Sequence, residues 1–283
     1  MNIQWYPGHM TKAKRQLEPK LKLIDMVIEV LDARAPKSSD NPDFDDLFKN
    51  KIRFYVLNKA DLADPKITEE WIRKFREEGH NAVAFSATNG NIKDLKKAIA
   101  DNAKDFLNKY KEKGVNKVLR GLIAGIPNVG KTAILNRLLG TKKLTEGNKP
   151  GVTKSLQWAK IDPYLEIMDS PGLLWPKFEN EETGAIIALI GSINSNILNE
   201  EELALYLIKL LKETEPSLLM NRFKLDSLDE DSYQVLCDIC KKRGFLYKGG
   251  EYDVERGART LLDEFKNGKL GRVSLEKPAH INY

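Results

Sequence analysis

The sequence predicts an α/β fold: a doubly wound, mainly parallel sheet in residues 1–178, followed by a smaller all-helical C-terminal domain in residues 179–283. Three observations carry this. Short apolar runs alternate with helical patterns as far as about residue 168, the rhythm of βα units. Short polar motifs stand at the C-terminal ends of these runs, where open α/β sheets bind ligands. Beyond about residue 180 strand signals become scarce and helical periodicity takes over.

In chain order, residues 9–22 read as a basic helix, with Lys12, Lys14, Arg15, Lys20 and Lys22 opposed only by Glu18. The run from Leu23 to Leu31 is a strand, closing on Asp32-Ala33-Arg34-Ala35-Pro36. Residues 37–48 form a loop and a short helix. Ile52 to Leu57 is a second strand that ends in Asn58-Lys59-Ala60-Asp61. Trp71, Ile72 and Phe75 recur at helical spacing within residues 65–78. Ala82 to Phe85 is a third strand, with Ser86-Ala87-Thr88 at its end. Residues 91–112 form one helix with a lysine-rich tail, broken by Gly114. A strand from Leu119 to Ala124 leads into a glycine-rich loop and a helix from Lys131 to Leu139. Strands follow near 155–161 and 164–168, the second ending at Asp169. In the C-terminal part helices are expected around 185–190, 203–211, 233–240 and 256–265.

The bulk numbers suit an ordinary globular protein. The 283 residues, 41% hydrophobic and 31% charged, allow one large or two medium domains. No run of about 18 apolar residues marks a membrane span, and the N-terminus lacks an apolar signal core. Two cysteines, Cys237 and Cys240, build no disulfide framework. A cytoplasmic, monomeric protein is the expectation. The lone C-x-x-C lacks further zinc ligands at suitable spacing and reads as helix packing.

Charge is unevenly spread. Residues 1–180 carry 32 Lys and Arg against 23 Asp and Glu; residues 181–283 carry 14 against 18. A second basic cluster, Lys104, Lys109, Lys111, Lys113, Lys117 and Arg120, opposes only Asp105 and Glu112. Such clusters suit a polyanion such as RNA, or a plain solvated surface.

The chemistry lies in five motifs. Gly125-Ile126-Pro127-Asn128-Val129-Gly130-Lys131-Thr132 matches the phosphate-binding loop G-x-x-x-x-G-K-[ST] in full. Its glycines let N–H groups surround phosphate oxygens, and the next helix turns its positive end to them. Pro127, Asn128, Val129, Gly130, Lys131, Thr132 and Ala133 are the expected contacts. Lys131 would bridge the β- and γ-phosphates, and Thr132 would ligate Mg²⁺. Asp169-Ser170-Pro171-Gly172 is a DxxG element. There Asp169 would hold Mg²⁺ through water, and the Gly172 N–H would meet the γ-phosphate. Thr153, in Gly151-Val152-Thr153, is the candidate switch threonine and a second Mg²⁺ ligand.

Asn58-Lys59-Ala60-Asp61 selects the base. The Asp61 carboxylate can accept from both N1–H and the N2 amine of guanine, a donor pair that adenine lacks. GTP and GDP are therefore the expected ligands. Asn58 would reach the base edge or brace neighbouring loops, the Lys59 stem would cover the base face, and the backbone of Ser86-Ala87 would meet guanine O6, with Thr88 a further contact of the same loop. These motifs run in rotated order. The base-reading pair precedes the phosphate loop, whereas the usual GTPase makes the phosphate loop first.

Catalysis needs a group to orient water. After DxxG the chain has Leu173 and Leu174, not glutamine, and neither side chain can hydrogen-bond. Two residues can substitute. Asn128 is a candidate ligand for K⁺ beside the phosphates, and His9 in Pro7-Gly8-His9-Met10 can position water or take its proton. His9 could equally anchor the N-terminal helix.

With these residues in place, the chain resembles the circularly permuted GTPases of the RbgA (YlqF) type over essentially its full length. The resemblance rests on WYPGHMTKA, LDARAP, NKADL, GIPNVGKT, PGVTKSLQW and DSPGLLWPK. It implies a GTP/GDP switch in assembly of the bacterial large ribosomal subunit. It also implies that His9 matches the family's water-positioning histidine and that Leu173 matches its hydrophobic replacement of glutamine. The family's helical C-terminal domain is thought to contact ribosomal RNA. The net acidity of residues 181–283 departs from a simple basic face, although Lys241-Lys242-Arg243 and Lys266, Lys269 and Arg272 form local clusters. Thr132 stands where many relatives carry serine. The rival reading is a docking module that GTP only stabilises.

Overall fold

The computed structural model describes residues 14–140, 157–175, 178, 180–193 and 199–278. A strand covered on both faces must be apolar nearly throughout, and β1 (Met26–Asp32) is buried at all seven positions. It is the centre of a six-stranded sheet with β2 (Ile52–Asn58), β3 (Asn81–Ala84), β4 (Leu119–Ala124), β5 (Gln157–Asp162) and β6 (Leu165–Asp169). The spatial order is β3-β2-β1-β4-β6-β5. All neighbouring pairs are parallel except β5 and β6. These two form a hairpin around Pro163 and Tyr164, with Asp162 Oδ1 accepting from the Tyr164 N–H at 2.8 Å. Strands added on both sides of β1 make the sheet doubly wound, and its switch point lies between β1 and β4.

Within β1, Glu29 is buried but not idle. Arg53 on β2 donates to both of its carboxylate oxygens, at 2.5 and 2.9 Å. On the same face of the sheet Val27, Leu122, Ala124 and Met168 pack against Leu17, Phe44, Phe48 and Leu173. Leu31, Tyr55 and Leu57 pack against Trp71 and Phe75. The covering helices are α1 (Pro36–Ser39), α2 (Asp43–Phe48) and α3 (Pro65–Glu77), with Asp64 capping α3 at the N–H groups of Lys66 and Ile67. Right-handed crossovers put α4 (Ile92–Asn102) and α6 (Lys131–Leu139) on the opposite face.

Three details differ from expectation. The chain is a 3₁₀ turn at Glu18–Leu23, so β1 starts at Met26. The expected helix 91–112 is two helices, α4 and α5 (Lys104–Lys111), parted at the buried Ala103, where the chain bends although the periodicity continues. Among the described residues the C-terminal part holds one helix more than expected, α9 (Pro216–Phe223).

Contacts divide the chain into two compact units: one takes residues 178–275, and the other takes the nucleotide-motif region together with residues 276–278. This return was not legible in the hydrophobic pattern. The Ser38 N–H donates to both Glu276 carboxylate oxygens at 3.1 Å, and Trp71 Nε1 donates to the Glu276 carbonyl at 3.1 Å.

The second unit is helical: α7 (Glu181–Leu189), α8 (Glu200–Thr214), α9 (Pro216–Phe223), α10 (Ser232–Arg243) and α11 (Val254–Lys266). Asn180, Asn199, Asp231 and Asp253 cap four of the five, the role for which short polar side chains are preferred. Its core joins Leu203, Leu207, Leu211, Leu236, Leu261 and Phe265. Both cysteines are free and buried on α10. Burial pushes the Cys240 thiol up to about 11, as suits a side chain packed in the helical core. No helix among the described residues is long and apolar enough to cross a membrane.

Candidate functional site

The loop between β4 and α6 is built by backbone geometry. Asn128 and Gly130 both have positive φ, 61° and 98°, and successive inward N–H groups of this kind make an anion nest. A side chain at Gly130 would strike Nδ2 of Asn58, and one at Gly172 would put its Cβ 2.6 Å from Pro127 Cα. The DxxG and phosphate loops are therefore in direct backbone contact, and the Asn58 side chain at the end of β2 lies against the phosphate loop.

Hydrogen bonds fasten them. Asn58, 1% exposed, donates from Nδ2 to the Val129 carbonyl at 2.7 Å and accepts at Oδ1 from the Ala87 N–H at 2.9 Å. Of its two expected roles, the structure therefore places it in the brace. The Ala60 N–H reaches the Phe85 carbonyl at 3.0 Å, which seats half-buried Asp61 beside the end of β3. Ser86 Oγ accepts from the Thr88 and Asn89 N–H groups at 3.2 and 3.3 Å and shapes the Ser86-Ala87-Thr88 loop. Arg137, near the end of α6, donates to the carbonyls of Ala87, Thr88 and Gly90. One side chain thus ties the phosphate-loop helix to the loop that follows β3. No motif marks it, because the contact spans 47–50 positions.

On the phosphate side, Lys131 is buried and donates to the Ile126 carbonyl at 2.7 Å across its own loop. Burial lowers its pKa to about 8, with Asp169 opposing the shift. Thr132 Oγ1 donates to Asp169 Oδ2 at 3.0 Å. Burial raises the Asp169 pKa, against Lys131, the Thr132 hydroxyl and the Ser170 N–H. Asp169 Oδ1 is buried without a hydrogen-bond partner. Such an orphaned oxygen is costly. Beside a threonine hydroxyl and a phosphate nest, it fits a hard cation with oxygen ligands such as Mg²⁺. No cluster of three or more His, Cys, Asp or Glu that could hold a metal ion occurs among the described residues. Ala133 lies in the first turn of α6.

The loop after Asp169 is anchored. Ser170 Oγ donates to the Ile123 carbonyl at 2.7 Å, the Leu173 N–H to Gly125 at 3.1 Å, and Asn41 Nδ2 to the Leu173 carbonyl at 3.0 Å. Leu173 is 4% exposed, inside the core with Phe44 and Phe48. The position that usually presents a glutamine is here a core anchor. His9 and Thr153 lie outside the described residues.

One cluster was not foreseen. Asp32, ending β1, accepts from Arg34 Nε and Nη2 at 2.9 and 2.8 Å and lies 2.9 Å from Lys59 Nζ. Burial opposes its charge, but Arg34 and Lys59 outweigh it and hold the carboxyl well below the usual range. The sequence signal was the Asp-Ala-Arg following a strand, read only as its end. Removing one partner from a buried ion cluster costs about 3–5 kcal/mol. Asp32→Ala should lose about that much stability in urea unfolding and also weaken GTP binding, since Lys59 is left unheld. Unchanged stability would show that water already screens the cluster.

Comparison with known proteins gives the family. The 50S ribosome-binding GTPase family matches residues 120–241. Ribosome biogenesis GTPase A of Bacillus cereus is 42% identical over 280 residues, 98% of this chain and 95% of that protein. The Thermotoga maritima protein of that name is 32% identical, covering 99% and 96%. A GDP-bound YlqF structure aligns with TM-score 0.69 at 28% identity over 93% of this chain and 99% of the other. GNP-bound YlqF from T. maritima aligns at 0.67 and 30% identity, covering 95% and 100%. With relatives this similar along nearly the whole length, the chain belongs to the ribosome biogenesis GTPase A family of circularly permuted GTPases, nucleotide-binding enzymes that hydrolyse GTP in ribosome assembly.

Proposed function

We propose that the chain is a GTP/GDP switch acting on the large ribosomal subunit and its RNA, as a cytoplasmic monomer. The observation that carries the nucleotide part is Asn58, whose amide is bonded at once to the phosphate loop and to the Ser86-Ala87-Thr88 loop. Phosphates and base are then read by one rigid frame. Asp61 takes the guanine donors, Lys59 covers the base, and the backbone of Ser86 to Thr88 meets O6. Pro127 to Ala133 enclose the phosphates, with Lys131 between β and γ and the Gly172 N–H at γ. Thr132, Thr153 and Asp169 hold Mg²⁺, which neutralises charge on the phosphates. Asn128 is the K⁺ ligand, and His9 orients the attacking water.

Buried Leu173 supports a supplied water-orienting group, because this side chain is packed in the core and cannot hydrogen-bond. The test is GTP turnover in potassium buffer, alone and with purified large subunits. Stimulation of about 10²-fold or more is expected, the scale of one positioned acid–base group. His9→Ala should abolish most of it while leaving GTP affinity within about twofold. Tight GTP binding without stimulation would favour the rival reading of a docking module with incidental turnover.

A further inference from the structure

Seven large apolar side chains are exposed among the described residues. Leu23, Val115 and Tyr164 flank the end of the sheet opposite the phosphate loop, and Trp158 stands on the edge strand β5, opposite Met168. Trp158 is 39% and Tyr164 66% exposed. Their neighbourhood follows from register. The Leu119 N–H donates to the Tyr164 carbonyl at 2.8 Å and the Asp25 N–H to Arg120 at 2.8 Å, so residues 22–25 and 164 both border the start of β4. Arg120 lies opposite Glu166, and Glu166 opposite Lys160. Trp158, two residues from Lys160, shares that face.

The chemistry of the patch is cationic and aromatic. The Arg120 guanidinium sits 5.7 Å from the Trp158 ring centre, and Lys117 Nζ 5.6 Å from that of Tyr110. The nearby carboxylates are already engaged: Asp25 with Lys117 at 3.1 Å and Glu166 with Arg120 at 3.5 Å, while Asp162 accepts from the Tyr164 N–H. Lys22 and Lys160 remain exposed beside them.

We propose that the β5–β6 edge of the sheet docks RNA, stacking unpaired bases on Trp158 and Tyr164 while exposed Lys22 and Lys160 hold the phosphate backbone. Exposed aromatic rings within a basic surface are the means by which proteins bind unstacked bases, whose π-faces accept any ring. Duplex RNA hides those faces in its stack, so the surface selects loops, bulges or single strands. The inference rests on the ribosomal reading above for the source of the RNA. It places the contact on the GTPase unit, along the β5–β6 edge of the sheet.

The test uses the full-length chain with GTP, an unstructured RNA oligonucleotide, and a duplex of equal length. Fluorescence anisotropy should show tighter binding of the single strand, and Trp158 emission should be quenched on binding. Trp158→Ala and Tyr164→Ala should each weaken binding about tenfold. Trp158→Phe should keep the affinity and lose the quench. Lys160→Ala should lower the salt slope by about one. Equal duplex binding with unquenched emission would overturn the proposal. So would a double variant that loses large-subunit binding but keeps RNA affinity, since the partner would then be a ribosomal protein. Variants that bind RNA and subunits like the unaltered chain would overturn the surface and leave the ribosomal reading standing. Failure of the unaltered chain to bind subunits would sink that reading alone, provided the single-strand preference holds.

Discussion

Asp61→Asn should lower GTP affinity about 10³-fold and restore tight binding to xanthosine triphosphate. The aspartate accepts two guanine hydrogens at once. An asparagine accepts one and turns an N–H₂ toward the other, leaving donors opposed. Two mismatched hydrogen bonds at a charged acceptor amount to about 4 kcal/mol. Xanthine carries a carbonyl where guanine carries the amine, so the asparagine amide matches it. The frame is suited to strict reading, since the Ala60 N–H locks this loop to the Phe85 carbonyl at 3.0 Å. Competition binding with GTP, xanthosine triphosphate and ATP checks the exchange. Equal loss of all three would mean that the variant loop has collapsed.

The second large effect concerns Lys131. Lys131→Met should lower the GTP hydrolysis rate about 10²–10³-fold, the scale for losing one preorganised charge at a developing oxyanion. The same residue gives a pH signature. With its pKa lowered to about 8 by burial, the ammonium is charged below pH 8 and is lost from the free protein as pH rises through that value. Triphosphate binds the charged form, so GTP affinity should be flat from pH 6.5 to 7.5 and about tenfold weaker at pH 9. Lys131→Arg, which stays charged throughout, should abolish the slope even if it binds more weakly. A slope that survives in Lys131→Arg would assign the titration to another group. Stability of the nucleotide-free protein should move the opposite way. Between about pH 8 and the ordinary lysine range the unfolded chain binds more protons, so native stability rises with pH there.

Much of this protein was legible before folding was considered, for a local reason. A phosphate nest, a strand end and a helix start are specified within a few residues. Gly125 to Thr132 therefore announced both its backbone and its chemistry, and the alternation of apolar runs announced the sheet. Errors came where local pattern was silent. One amphipathic pattern over 91–112 covered two helices, because periodicity does not record a bend at Ala103. The turn at Glu18–Leu23 took residues from a run that looked continuous.

The sequence by itself determined the fold class and the rotated motif order, and it named the candidate nucleotide-reading residues. Only the tertiary structure decided what joins them. Asn58 as a brace spanning 71 positions, Arg137 strapping the loop that follows β3, Asp32 holding Lys59, Leu173 as core, and Glu276 returning to Ser38 across 238 positions are pairings between distant segments. Their energies depend on the burial and distance that the folded sheet creates. Neither quantity exists in the unfolded chain, so no single stretch of sequence can display them.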